Sequence, residues 1–206
     1  MKAEHLEILV EESSMEAFLR ELLPRLLGDE VSFAVYPYQC KDDLLSKLPV
    51  RLVSYAKWLP ETSRILVIVD RDDDDCKILK EKMEQMALDA GLRTRTAGAG
   101  EQWQVVNRIA IEELEAWYFG DWEAVRAAYS RVPQTILSQA KYHDSDAITG
   151  GTWEVFGRVL QRDGYFKGGL RKIEAARSIA AHRVPDRNCS KSFRVLRNAL
   201  LEMTTA

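Results

Sequence analysis

The sequence predicts an α/β protein: a mostly parallel sheet layered by helices, followed by an all-helical C-terminal extension. Three observations carry that expectation. Short β-branched apolar runs alternate with amphipathic helical stretches through the first 120 residues. The run Ile65-Leu66-Val67-Ile68-Val69 is apolar at every position, as a strand covered on both faces of a parallel sheet must be. From Asp121 onward the strand signals stop, and helical runs near 122–129, 152–162, 170–181 and 191–203 remain. The expected division is an α/β part over 1–120 and a basic helical extension over 121–206 packed on it.

Each element has its own signal. Leu6 to Val10 reads as a strand ending at Glu11-Glu12. Ser13 and Glu16 then stand at capping-box spacing, and Met15, Phe18, Leu19, Leu22, Leu23 and Leu26 recur at helical intervals up to Gly28, where a C-cap belongs. Val31 to Tyr36 alternates as a second strand, and Leu44, Leu48, Leu52 and Tyr55 mark a helix from Lys41 to about Trp58. Ile65 to Val69 is the expected centre of the sheet. A helix carrying Leu79, Met83, Met86, Ala87 and Ala90 closes at Gly91, Leu92 to Thr96 begins another strand, and Ala97-Gly98-Ala99-Gly100 is a turn. Val105 to Ile111 forms a last strand leading into a helix over Glu112 to Phe119, stopped by Gly120.

Composition narrows the function classes. The chain has 206 residues, 46% hydrophobic and 30% charged, and no run approaches the ~20 apolar residues of a membrane span. The N-terminal stretch lacks the basic and apolar regions of a secretory signal. Cys40, Cys76 and Cys189 are odd in number, widely spaced and without a CxxC, which indicates neither a disulfide framework nor a zinc site and makes the cytoplasm the expected compartment. The net charge of −3 hides a division: positions 121–206 hold 14 Lys+Arg and 9 Asp+Glu, a net of +5, against 15 and 23, a net of −8, in the first 120. From Arg158 to Arg197 there are 11 basic residues and 3 acidic ones.

Asp70-Arg71-Asp72-Asp73-Asp74-Asp75 directly follows the most apolar strand. Carboxylates packed this closely repel unless a cation neutralises them, and ligands of open α/β sheets gather at the carboxyl ends of strands. Glu11 ends one expected strand and Asp70 another, so the fold brings them to one edge, where oxygen donors suit Mg²⁺ or Mn²⁺. Asp73 and Asp75 are the members expected to be solvated. Two other motifs fit less well. The EF-hand spacing of Asp70, Asp72, Asp74 and Glu81 has Asp75 where glycine is required, and a strand where a helix must precede. The Asp-x-Asp of aspartyl-phosphate phosphatases is followed by Thr or Val four residues after the nucleophile, where this chain has Asp74. Glu112 and Glu115 are spaced i, i+3, which on one helical face lets two carboxylates share a metal.

A strand ending in Glu11, followed some sixty residues later by one ending in Asp70-x-Asp72-x-Asp74, resembles the Toprim domain of topoisomerases, primases and overcoming-lysogenization-defect nucleases. The segments ILVEESSMEAFL, DDLLSKLP, ILVIVDRDDDDC, IAIEELEAWYFGD and GGTWEVFGRVLQ resemble, over most of the chain, the Toprim-like bacterial family catalogued as domain of unknown function 4276. The resemblance implies a catalytic domain over 1–120 with metal-dependent phosphodiester chemistry. Glu11 matches the general acid or base, Asp70 and Asp72 the metal-binding pair, and Asp74 a third, variable ligand. Toprim domains commonly place glycine after the glutamate; here Glu12 stands there, adding a side chain and a second charge where a phosphate would approach. The resemblance also implies an ATPase partner encoded nearby and a setting in phage defence.

In the basic half, Lys167-Gly168-Gly169-Leu170-Arg171-Lys172 places glycines and cations just before an expected helix, a pattern for holding phosphate. Lys167, Arg171 and Lys172 are the expected nucleic-acid contacts. His5, His143 and His182 have no spacing that supports triad chemistry. The expected function is a Mg²⁺-dependent nuclease with metal ligands Glu11, Asp70, Asp72, Asp74 and Glu115, acting on DNA or RNA, with an ATPase or a second copy of the chain as possible protein partner. The alternatives are a non-catalytic sensor subunit of an ATPase complex and a small-molecule phosphatase.

Overall fold

In the computed structural model, which describes residues 2–98 and 103–205, four strands form one sheet. Strands β1 (His5–Val10), β2 (Ser32–Pro37), β3 (Ser63–Asp70) and β4 (Val105–Ala110) are all parallel, in the order β2-β1-β3-β4. Helices α1 (Ser13–Leu27), α2 (Lys41–Trp58) and α3 (Cys76–Asp89) connect them. After β4 come α4 (Leu114–Gly120), α5 (Trp122–Ala128), α6 (Thr152–Arg162), α7 (Lys172–Ala180) and α8 (Lys191–Thr204), with short 3₁₀ turns between. The fold is therefore the α/β layered architecture expected, with helices as the only regular elements among the described residues beyond 121.

The two-residue period of the strands divides the interior. Leu6, Ile8, Val10, Leu66 and Ile68 face α1 and the C-terminal helices, while Leu9, Ile65, Val67 and Val69 face α2 and α3. Each fully buried side chain of this kind contributes about 1.5–3 kcal/mol. The first core runs without a break from Leu6 and Phe18 into Trp117, Phe156 and Phe193, so both parts of the chain share one interior. Phe18 meets Trp117 and Phe193 at ring-centroid distances of 5.7 and 6.4 Å.

Three local expectations are corrected. The N-cap of α1 is Glu12, so Ser13 is the first helical residue and makes no capping box; Glu16 instead pairs with Arg20 at 2.8 Å. Leu92 to Thr96 makes one parallel bridge, Thr94 to Val105, and no strand. The Thr94 hydroxyl accepts from the Ala97 N–H at 3.2 Å, and its carbonyl from Gly98 N–H at 2.9 Å, which turns the backbone away after that bridge. Of the expected turn beyond, Ala99 and Gly100 lie outside the described residues. Helix α4 begins at Leu114, because Glu112 has φ +64° and Glu113 is extended. No helix among the described residues is long and apolar enough to cross a membrane.

Candidate functional site

The chain leaves β1 through α1 to β2 on one side, then returns through α2 to β3 on the other. Strand order thus reverses between β1 and β3, and the crevice at their carboxyl ends is where such sheets bind ligands. Glu11 follows β1 and Asp70 closes β3. The Asp70 N–H donates to Glu11 Oε2 at 3.0 Å, so the sequence-expected pair is in direct contact.

Asp70 has the parity of Leu66 and Ile68 and so belongs to the face of the sheet covered by the C-terminal helices. It is 6% exposed, and its Oδ1 has no hydrogen-bond partner. Burial raises its pKa well above the ordinary value, with the charges of Glu11, Glu115, Glu12 and Asp72 adding to the effect. Glu115, in the first turn of α4, is 1% exposed with neither carboxyl oxygen partnered. Its pKa is pushed up to about 7, chiefly by burial, against the opposing charge of Lys172. Glu11 is raised by burial too, partly offset by the Asp70 N–H. Tyr118, a turn after Glu115 on α4, also has a buried hydroxyl without a partner.

Buried carboxylate oxygens without donors are costly to keep and call for a proton or a cation. The donor set of Glu11, Asp70 and Glu115, all hard oxygens, fits Mg²⁺ or Mn²⁺ in chemistry. Among the described residues no three His, Cys, Asp or Glu groups are disposed to hold a metal ion as they stand.

The remaining acidic residues are engaged elsewhere. Lys41, the first residue of α2, directs Nζ to Asp72 Oδ2 at 2.6 Å and Asp74 Oδ2 at 2.8 Å, and donates to the carbonyls of Asp70 and Arg71 at 3.3 and 3.1 Å. Burial lowers the Lys41 pKa, but hydrogen bonds to Asp72 and Asp74 outweigh it and hold the ammonium charged. Asp75 accepts from Lys77 N–H and Ile78 N–H and caps α3. Glu112 pairs with Arg71, and its carbonyl accepts from the N–H of Asp72, itself at φ +49°. Glu113 accepts from Thr152 Oγ1 at 2.8 Å and Trp153 N–H at 2.9 Å, closing the start of α6. The expected sharing of a metal by Glu112 and Glu115 is thus corrected: only Glu115 lies in the helix and turns inward.

Of the basic residues expected at the site, Lys172 is there. Its Nζ lies 3.6 Å from Glu12 Oε1 and 5.2 Å from the Trp153 ring centre. Burial lowers its pKa, but Glu115, Glu12, Glu113 and Asp70 together raise it more. Arg171 pairs with Glu174 at 3.0 Å and lies over Phe166, and Lys167 is exposed at the preceding turn. An open cleft of about 850 Å³ runs between the starts of α1 and α7, lined by Ser13, Ser14, Tyr38, Arg171, Lys172 and Arg177 among others. Neither helix start carries a side-chain cap, so their first N–H groups remain available to an anion.

Sequence reasoning missed Lys41. A lysine at the first position of a helix opposes the helix dipole, and that mismatch was the available signal. No curated protein and no solved structure matches the chain. A family model described as Domain of unknown function (DUF4276) matches residues 10–201, a span containing every residue of the site, and the chain belongs to that family.

Proposed function

We propose that this chain is a Mg²⁺- or Mn²⁺-dependent nuclease that hydrolyses phosphodiester bonds in nucleic acid. The observation that carries the reading is the set of donor-less, buried carboxylate oxygens on Asp70 and Glu115, beside Glu11, at the point where strand order reverses. Glu11, Asp70 and Glu115 would hold the ion. Bound there, it would supply Lewis-acid polarisation of a phosphoryl oxygen and a water of lowered pKa. Glu11, fixed at the edge of the site by the Asp70 N–H, would also orient the attacking water and accept its proton. Lys172 places a positive charge beside these carboxylates, where it would offset negative charge on the scissile phosphate. The uncapped starts of α1 and α7, with Arg171 and Arg177, line the cleft along which the flanking phosphates would run. The resemblance to Toprim nucleases supports the same chemistry, and with it a cytoplasmic setting, an ATPase partner and a role in phage defence.

The test is a Mg²⁺/Mn²⁺ cleavage panel over single- and double-stranded DNA, structured RNA and phosphate monoesters, with and without the candidate ATPase. Metal-dependent cleavage that disappears in Asp70→Asn supports the reading; full activity in that variant ends it. One observation favours a second reading, a non-catalytic subunit of an ATPase complex: Lys41 already neutralises Asp72 and Asp74. Co-purification with an ATPase, and no cleavage of any substrate by the assembled complex, would select it.

A further inference from the structure

Lys41 Nζ stands among four oxygens at 2.6–3.3 Å: the carboxylates of Asp72 and Asp74 and the carbonyls of Asp70 and Arg71. That is the oxygen shell of a hard cation, with an ammonium at its centre. The ammonium is also the more enclosed partner, its side chain 13% exposed against 44% and 50% for the two aspartates. Lys41 therefore sits inside the acidic loop and the carboxylates close over it. On the other side of Asp70 the situation is reversed. Asp70 Oδ1 and both oxygens of Glu115 are buried with no donor at all. Around the end of β3 there are thus two kinds of carboxylate: Asp72 and Asp74, engaged by a tethered positive charge, and Asp70 and Glu115, with buried oxygens that have no partner.

We propose that Lys41 is the resident cation of the Asp70–Asp74 loop, so that Asp72 and Asp74 are not metal ligands and the site takes a single divalent ion on Glu11, Asp70 and Glu115. This rests on the nuclease reading for its metal and adds the ion count and the ligand set. Lys41 is a positioning residue: it fixes the backbone of the loop through the Asp70 and Arg71 carbonyls and supplies the charge that a second ion would bring. A Mg²⁺ bound by Asp72 would have to expel the ammonium, since metal–oxygen distances near 2.1 Å and an octahedral shell leave no room for both.

Mn²⁺ binding to the full chain, followed by electron paramagnetic resonance titration, tests this without any catalytic readout. The wild-type chain is expected to bind one Mn²⁺. Asp72→Asn should leave its Kd within about twofold, and Glu115→Gln should weaken it at least tenfold. In Lys41→Met a second, weaker ion should appear, and it should vanish when Asp72→Asn is added. A tenfold loss of affinity in Asp72→Asn alone, two ions in the wild type, or no ion in the wild type overturns the proposal. If Lys41→Met fails to fold by circular dichroism, the Asp72→Asn and Glu115→Gln comparison decides by itself. Failure of the nuclease reading is distinguishable: one Asp72-independent ion with no cleavage leaves the ligand set standing, whereas cleavage with an Asp72-dependent ion leaves only the nuclease.

Discussion

At Glu115, titration and stability are linked in a direction opposite to that of most surface carboxylates. Its carboxyl titrates at about 7 in the folded chain against an ordinary 4.5. Between those pH values the folded chain binds more protons than the unfolded one, so stability is lost as pH rises through that window. The displacement corresponds to about 3 kcal/mol at pH 8, and the raised Asp70 and Glu11 act in the same direction. In chelator, the melting temperature should therefore fall between pH 5 and pH 8, and Glu115→Gln should flatten that fall, because an amide has no charge to bury. A slope unchanged in Glu115→Gln, measured by thermal denaturation, would contradict the assignment. For activity, Asp70→Asn is expected to reduce cleavage at least a hundredfold with the fold retained. Lys172→Met should lower kcat more than it raises KM, because its charge is needed most when the phosphate gains negative charge. Glu11 and Asp70 were legible at this scale since each ends an apolar strand. Lys41 was not, because its partners lie thirty residues away on another element.

Among the helices, α4 is locked at its last residue, Gly120, to the segment that leads into α8. A Cβ at Gly120 would stand 2.1 Å from Asn188 Oδ1 and 2.8 Å from the Ser190 N, and Gly120 O accepts from the Cys189 N–H at 2.8 Å. Asn188 is fully buried and backbone cannot step aside, so Gly120→Ala should cost about 1–3 kcal/mol, read as a lowered denaturation midpoint. The start of α8 is held by Asp146, which accepts from the N–H groups of Lys191 at 2.5 Å and Ser192 at 3.2 Å. Asp146→Ala should cost about 1 kcal/mol, as removal of a cap does. Gly120 was read from sequence as a simple helix stop. Its need for close approach comes from residues 188–190, which no local pattern connects to it. The helix expected from Glu112 was placed two residues early for a related reason. Charge and apolar spacing suggested a helix, but the pairing of Glu112 with Arg71, with its backbone at φ +64°, holds it in the loop after β4.

For the whole molecule, the unequal charge of the two halves and the continuity of the core bear on each other. The first core includes Leu6, Phe18 and Leu66 along with Phe156, Ile179 and Phe193, and Ala3 N–H reaches Met203 O at 2.8 Å. A fragment ending at residue 120 would lose the C-terminal helices that share one face of the sheet with α1, and it is expected to lose near-ultraviolet circular dichroism and cooperative melting; a cooperative transition in that fragment would refute this. The amino-acid sequence by itself determined the strand and helix alternation, the parallel sheet and the placing of Glu11 and Asp70 at its carboxyl edge, since apolar periodicity and strand ends are local properties. Tertiary structure alone decided which carboxylates are left without a partner. Lys41, Arg71, Thr152 and the α3 backbone neutralise or cap Asp72, Asp74, Glu112, Glu113 and Asp75, while Asp70 Oδ1 and both carboxyl oxygens of Glu115 are buried without a hydrogen-bond partner. Whether a carboxylate is solvated, paired or orphaned depends on what packs against it from distant parts of the chain, and a pattern of neighbouring residues carries no record of that.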